Sequence, residues 1–229
     1  MKRTATRRGV LAACGVALAG CGSSTDAVTT VSIDSPVTNA PIPSNPDEYT
    51  YAMMGSGDAP VTVTYIGNWK CPYCADFSTG SLGTLVSDYV EPGSIDLRYR
   101  TLSYTSRGPF LGPDAPRAAR AGLAVWHTDP DRYWTFHEHV MRSQPPESEQ
   151  WATTDKLVRF AKEAGVDDSE SIRTALEDGE YDQAVRKTTQ AASDAGVRGT
   201  PAIVVGGQAV NALQTDQVRS LIDEAIETS

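Results

Sequence analysis

Residues 61–66, Val-Thr-Val-Thr-Tyr-Ile, place branched or aromatic side chains at alternate positions, the period of a strand with one face turned to a core. Phe77, Leu82, Leu85, Val86, Tyr89 and Val90 then recur at helical spacing. Pro92-Gly93-Ser94 breaks the chain, and 95–102 alternates again as a strand. From 114 to 195 the pattern is helical, in five pieces. They are an Ala-rich 116–126, 131–142 with aromatics on one side, and 155–164 capped by Thr154 and stopped by Gly165. A short helix opened by Asp168 or Ser169 and ended at Gly179 follows, then 180–195, stopped by Gly196. An apolar strand at 202–205, a Gly206-Gly207 turn, a short strand at 208–210 and an amphipathic helix at 215–226 close the chain. With a further strand at 49–54 and a turn at 55–58, the order is β, β, α, β, helical block, β, β, α. Strands with helices between and around them predict an α/β sheet.

The N-terminal part has no such pattern. Residues 1–8 are basic and polar, 9–20 apolar, and a small-residue junction follows, the three-part layout of an export signal. The apolar run is too short to span a bilayer, which needs about 20 residues. Thr6-Arg7-Arg8-Gly9-Val10-Leu11 resembles a twin-arginine export motif, and Leu18-Ala19-Gly20-Cys21 resembles the lipobox of prokaryotic lipoproteins. That resemblance implies cleavage of signal 1–20 and a lipid on Cys21, anchoring the protein to the outer face of the cell membrane. Residues 21–48 are rich in Ser, Thr, Asp, Asn and Pro, and Pro36, Pro41, Pro43 and Pro46 interrupt every run. They are expected to form a disordered tether ahead of a single folded domain at 49–229.

Charge narrows the partners. The chain carries 20 basic and 29 acidic residues; removal of Lys2, Arg3, Arg7 and Arg8 with the signal leaves 16 against 29, a net of −13. Such a surface excludes nucleic acid as a partner, because phosphate binding needs a basic patch.

The chemistry concentrates at Cys71-Pro72-Tyr73-Cys74. Once Cys14 leaves with the signal and Cys21 carries lipid, these are the only thiols. The pair falls where strand 61–66 turns into a helix, with Cys71 at the cap and Pro72 in the first turn, where its missing N–H costs nothing. Free N–H groups and the helix dipole lower a thiol's pKa there, and Lys70 is expected to add positive charge. A zinc site needs two further ligands. His137 and His139 stand two apart on a predicted helix, on different faces, and with His127 they are expected to be exposed or hydrogen-bonded. No metal and no cofactor is expected. Trp126, Trp134 and Trp151 are expected to pack in the interior, and Trp69 to rim the cysteine site.

A second spot is Arg198-Gly199-Thr200-Pro201-Ala202. A proline at the mouth of an apolar strand cannot donate to the ladder, and a cis bond suits such a turn. A Cys-Pro-Tyr-Cys strand-to-helix junction followed about 130 residues later by Gly-Thr-Pro before a hairpin resembles the thioredoxin fold. The helices between, with an insertion at about 113–180, resemble its DsbA-like branch of thiol–disulfide oxidoreductases. The resemblance implies that Cys71 is the exposed nucleophile, Cys74 the resolving thiol, and Pro201 the proline facing them. It also implies that Thr200 offers a backbone edge to a substrate, alongside Pro72, Tyr73 and Trp69. Many members of that family carry a buried acid six residues before the first cysteine; here the position is Tyr65, which leaves the Cys74 proton to water or to a carboxylate placed by the fold.

The implied reaction is exchange with protein thiols and disulfides through mixed disulfides, sustained by a redox partner. An oxidising compartment favours the disulfide-donating direction over reductase or isomerase. The rival from another class is a lipoprotein binding module with a static disulfide. Against it, a bridge across two residues closes a loop too short to add much stability.

Overall fold

The computed structural model describes residues 28–229. The expected signal, the lipobox and Cys21 lie outside the described residues. A five-stranded sheet in the order β1-β3-β2-β6-β7 forms the centre. Its strands are β1 (Met53–Met54), β2 (Val61–Gly67), β3 (Ile95–Thr101), β6 (Ala202–Val205) and β7 (Gln208–Asn211). Only β2 and β3 run parallel, with Tyr65 opposite Tyr99; β1 on β3, β6 on β2, and β7 on β6 are antiparallel. The parallel pair needs a crossover, which α1 (Pro72–Thr79) and α2 (Ser81–Leu85) supply. Val61, Val63 and Tyr65 are buried on one face of β2, as their alternation requires.

The crossover helix was expected to be continuous. It breaks at Gly80 (φ −124°, ψ −100°), where a Cβ would lie 2.9 Å from the Asp76 carbonyl oxygen, and it ends in a π-helical turn at Val86–Val90. After β3, a small hairpin of β4 (Tyr104–Thr105) and β5 (Gly108–Pro109) leads into the helical block. That block comprises α3 (Ala115–Thr128), α4 (Pro130–Ser143), α5 (Thr154–Glu163), α6 (Ser169–Glu177) and α7 (Asp182–Asp194), with α3 touching the other four. The caps read from the sequence hold with small shifts: Asp168 accepts from the Ser171 N–H, and Thr153, rather than Thr154, accepts from Lys156. The final helix, α8 (Thr215–Glu227), packs on β2, β6 and β7.

Two expectations are corrected. The strand at 49–54 shrinks to two residues, because the chain before it peels off the sheet: the Tyr51 hydroxyl donates to the Ala184 carbonyl in α7 at 2.8 Å. The tether expected at 21–48 is not free from residue 28 onward. Val31 N–H donates to the Glu163 carbonyl at 2.7 Å, Gly55 N–H to Pro41, and Val37 sits in the main core at 1% exposure. Prolines exclude a helix or strand but not burial, and the Thr38 hydroxyl stabilises the irregular path by donating to Ile33 and Ser35 carbonyls.

Candidate active site

The end of β2 and the start of α1 are locked together by one side chain that the sequence did not single out. Asn68 is fully buried; its amide donates to the Leu102 and Phe110 carbonyls (2.8 and 3.3 Å) and its oxygen accepts from the Lys70 N–H (2.8 Å). Its own N–H donates to the Cys74 sulfur at 3.4 Å. An Asn between a strand and a helix cap is the one signal that pointed to it. This turn sets Cys71 as the cap of α1 with Pro72 as the first helical residue.

Lys70 does not assist Cys71. It is 1% exposed, and its ammonium lies 2.5 Å from Asp114 and 2.8 Å from the Glu149 carbonyl, so its charge is neutralised within a buried pair. That pair instead fastens the cysteine turn to the start of α3. Trp69 does not rim the site either. It is buried at 1% exposure among Tyr99, Phe136 and His137, because the turn after β2 carries its ring inward. Trp126, Trp134 and Trp151 are interior, as expected.

Both cysteines are free thiols. The Cys71 thiol is held 3.3 Å from the Thr200 carbonyl, and the Thr200–Pro201 peptide bond is cis. Cys71 is pulled down from 9.0 to about 6. The Cys74 thiol as hydrogen-bond donor is the largest cause, resisted by burial and helped by the Thr200 side chain and the N–H groups of Cys74 and Tyr73. Cys74 goes the other way: burial pushes it well up, reinforced by its bond to Cys71 and by the Cys71 charge. One sulfur of the pair is therefore poised to ionise and the other to keep its proton. Arg198, the cation nearest in sequence to Thr200 and Pro201, is exposed and is not among the leading causes of the Cys71 shift.

Cys71, expected to be the exposed nucleophile, is itself buried at 3% exposure; the two residues that follow it, Pro72 and Tyr73, are exposed, the latter at 60%. The residues from Gly196 to Ala202, Thr200 and Pro201 among them, and from Ala209 to Asn211 line a groove of about 370 Å³. The fold thus brings Cys71, Cys74, Thr200 and Pro201 together, leaves Pro72 and Tyr73 at the rim, and removes Trp69.

The histidines do not form a metal site: no group of three or more ligating side chains occurs among the described residues. His127 stacks on Tyr181, His139 bonds Glu163 at 2.7 Å, and His137 is fully buried beside Glu138 and Ser78.

The family model described as Thioredoxin matches residues 47–224. A probable disulfide bond formation protein D of Bacillus anthracis is 31% identical over 179 residues, covering 78% of this chain and 79% of that one. Disulfide bond formation protein D of Bacillus subtilis is 27% identical, covering 76% and 77%. The oxidised crystal structure of BdbD from Bacillus subtilis superposes with a TM-score of 0.70 at 26% identity, over 82% of this chain and 97% of that one. Chlamydia trachomatis DsbA, at 18% identity and a TM-score of 0.65 over 78% and 93%, shares the fold.

Proposed function

The chain belongs to the thioredoxin-like family, in its DsbA-like branch of thiol–disulfide oxidoreductases, and on that premise we propose that it is an extracytoplasmic disulfide donor whose exchanging pair is Cys71 and Cys74. The observation that carries the roles is the opposite displacement of the two thiols, Cys71 to about 6 and Cys74 well above its ordinary value. Two titratable groups pushed apart by their surroundings have separate parts in the chemistry.

In the donating cycle the oxidised protein holds a Cys71–Cys74 bond. A substrate thiolate attacks Cys71 Sγ, that bond breaks, and its electron pair goes to Cys74, which takes a proton. The substrate's second thiolate then attacks the substrate sulfur of the mixed disulfide and expels the Cys71 thiolate. The substrate leaves with one disulfide, having lost two electrons, and the protein has gained them. Expulsion of Cys71 is eased because a thiolate stable at about 6 is a good leaving group. A redox partner that withdraws two electrons restores the disulfide. The groove lined by Thr200 and Pro201 has room for a substrate segment next to the Thr200 residue whose carbonyl the Cys71 thiol contacts.

The anchor is part of the same proposal: signal 1–20 is removed, Cys21 carries lipid, and 49–229 acts outside the cytoplasm. Since the chain is fixed to the fold by Val31, only the residues between 21 and 31 separate lipid from domain. Fully extended they reach about 35 Å, so the domain works close to the membrane. Among the described residues no helix is long and apolar enough to cross a membrane.

The test is a single turnover. Oxidised protein mixed with a reduced, unfolded two-cysteine substrate is expected to yield one substrate disulfide per Cys71–Cys74 pair lost, and Cys74→Ser to accumulate a mixed disulfide at Cys71. A Cys71–Cys74 bond that persists against excess substrate thiol would support the static binding module instead.

A further inference from the structure

Asn68 does more than shape the cysteine turn. It follows directly on Gly67, the last residue of β2, so its N–H lies beyond the final ladder pair of that strand, Gly67 with Thr101. That N–H donates to Cys74 Sγ at 3.4 Å. Donor and acceptor residues are both fully buried, which leaves no solvent to stabilise charge on the sulfur. Burial pushes the Cys74 thiol well up, with the Cys71 thiol and its charge behind, and the Asn68 N–H is foremost among the groups that pull it back.

The place of this N–H is fixed from two sides. The side-chain amide donates to the Leu102 carbonyl just beyond β3 and to the Phe110 carbonyl just beyond β5, at 2.8 and 3.3 Å, and its oxygen accepts from the Lys70 N–H at 2.8 Å. Two carbonyls that only accept and an N–H that only donates set the amide one way round. On the backbone side, a Cβ at Gly67 would stand 2.8 Å from the Tyr99 ring and 3.0 Å from the Tyr65 hydroxyl, so the chain enters the turn pressed against both rings. A clamp that served only the fold could end on any backbone group; this one ends on a sulfur of the exchanging pair.

We propose that Asn68 is a positioning residue of the exchange reaction: its side chain holds its own N–H on Cys74 Sγ, where that N–H stabilises the negative charge the sulfur carries in passing. The proposal rests on the Cys71–Cys74 exchange reading above. When a substrate thiolate attacks Cys71 Sγ, the substrate–Cys71 bond forms, the Cys71–Cys74 bond breaks, and the electron pair goes to Cys74 Sγ. A donor already in place meets that pair without rearrangement. The N–H keeps its own proton, and a solvent proton neutralises Cys74 afterwards. In the reverse direction Cys74 loses that proton, attacks Cys71 Sγ and expels the substrate thiolate through the same transition state. The bond therefore speeds opening and closing alike and leaves the balance between them little moved.

The test measures both directions with glutathione. Oxidised protein mixed with glutathione gives the rate of opening, as formation of the Cys71–glutathione adduct. The adduct made from reduced protein and glutathione disulfide gives the rate of closing, as release of glutathione by Cys74. Asn68→Ala is expected to slow both about tenfold, the effect of one hydrogen bond to a charged group, and to leave their ratio within about twofold. Asn68→Ser, whose hydroxyl can still accept from the Lys70 N–H, should fall between. Alkylation of Cys71, measured in the Cys74→Ser background with and without Asn68→Ala, should change less than about twofold, because the Cys71 sulfur bonds Thr200 and not Asn68. An ester in place of the Gly67–Asn68 amide deletes the N–H and keeps the side chain. It serves should the side-chain variants not fold, and is expected to slow both directions about tenfold as well. Wild-type rates in the ester or in folded Asn68→Ala would overturn the proposal, as would a fall in one rate alone or an equal loss of Cys71 alkylation. If glutathione does not open the wild-type disulfide, the exchange reading fails instead, and that outcome is seen before any variant is compared.

Discussion

The depressed Cys71 thiol yields a prediction whose size follows from its surroundings. Its ionised form is held first by the Cys74 thiol as donor, ahead of the Thr200 side chain and the N–H groups of Cys74 and Tyr73. With a midpoint of about 6, about 90% of Cys71 is thiolate at pH 7. Cys74→Ala removes the leading donor. A hydrogen bond to a charged group contributes about 1.5–3 kcal/mol, so the midpoint should rise by about 1–2 pK units. At pH 7 the thiolate fraction then falls to between about 50% and 10%, and iodoacetamide alkylation slows by about 2- to 10-fold. Cys74→Ser retains an O–H donor and should stay nearer wild type. The assay is the alkylation rate across about pH 4–10 for the reduced wild type and the two variants. A wild-type midpoint near that of a free thiol, or a Cys74→Ala midpoint equal to wild type, refutes the assignment of Cys74 as the stabilising donor.

The same displacement couples redox state to pH. The folded midpoint of Cys71 lies below its unfolded value of 9.0, so the reduced fold gains stability that is complete above pH 9 and vanishes as pH falls through 6. At pH 7 the gain is about 1.4 kcal/mol for one pK unit above the midpoint, which for a two-electron couple raises the reduction potential by about 30 mV.

Other consequences are separable from the thiol chemistry. Lys70→Met leaves Asp114 buried and unpaired and should destabilise the fold by about 3–5 kcal/mol, read as a fall in the denaturant midpoint; an unchanged midpoint contradicts the pairing role. Cys21→Ser should keep exchange activity but leave the protein unprocessed or released from the membrane fraction, and normal processing with membrane retention contradicts the lipid anchor.

How much of this was legible in the chain depends on the range of the interaction. The Cys71-Pro72-Tyr73-Cys74 turn and the Thr200-Pro201 entrance are local signals, since capping, helix start and strand entrance are settled within a few residues. The five helices between them were likewise legible, the first two from an Ala-rich run and a one-sided row of aromatics, the last three from caps or stop glycines. Lys70 was misread because sequence adjacency to Cys71 says nothing of Asp114, 44 residues away, which captures its ammonium. Trp69 was misread for the same reason, its partners Tyr99, Phe136 and His137 being supplied by β3 and α4. The polar, proline-rich stretch ahead of residue 49 revealed the lack of regular structure but not the burial of Val37. His137 could be placed on a helix, yet its link to Ser78 spans 59 residues and leaves no periodic trace.

The direction of electron flow is tested most directly by the reduction potential of the Cys71–Cys74 couple, taken by equilibration with glutathione redox buffers between about pH 5 and 8. A disulfide donor is expected to lie above the roughly −200 mV of glutathione-coupled exchangers. Its potential should fall by about 60 mV per pH unit below the Cys71 midpoint and by about 30 mV above it, the slope breaking near pH 6. A potential in the thioredoxin range, near −270 mV, or a slope with no break until about pH 8–9, would contradict the account.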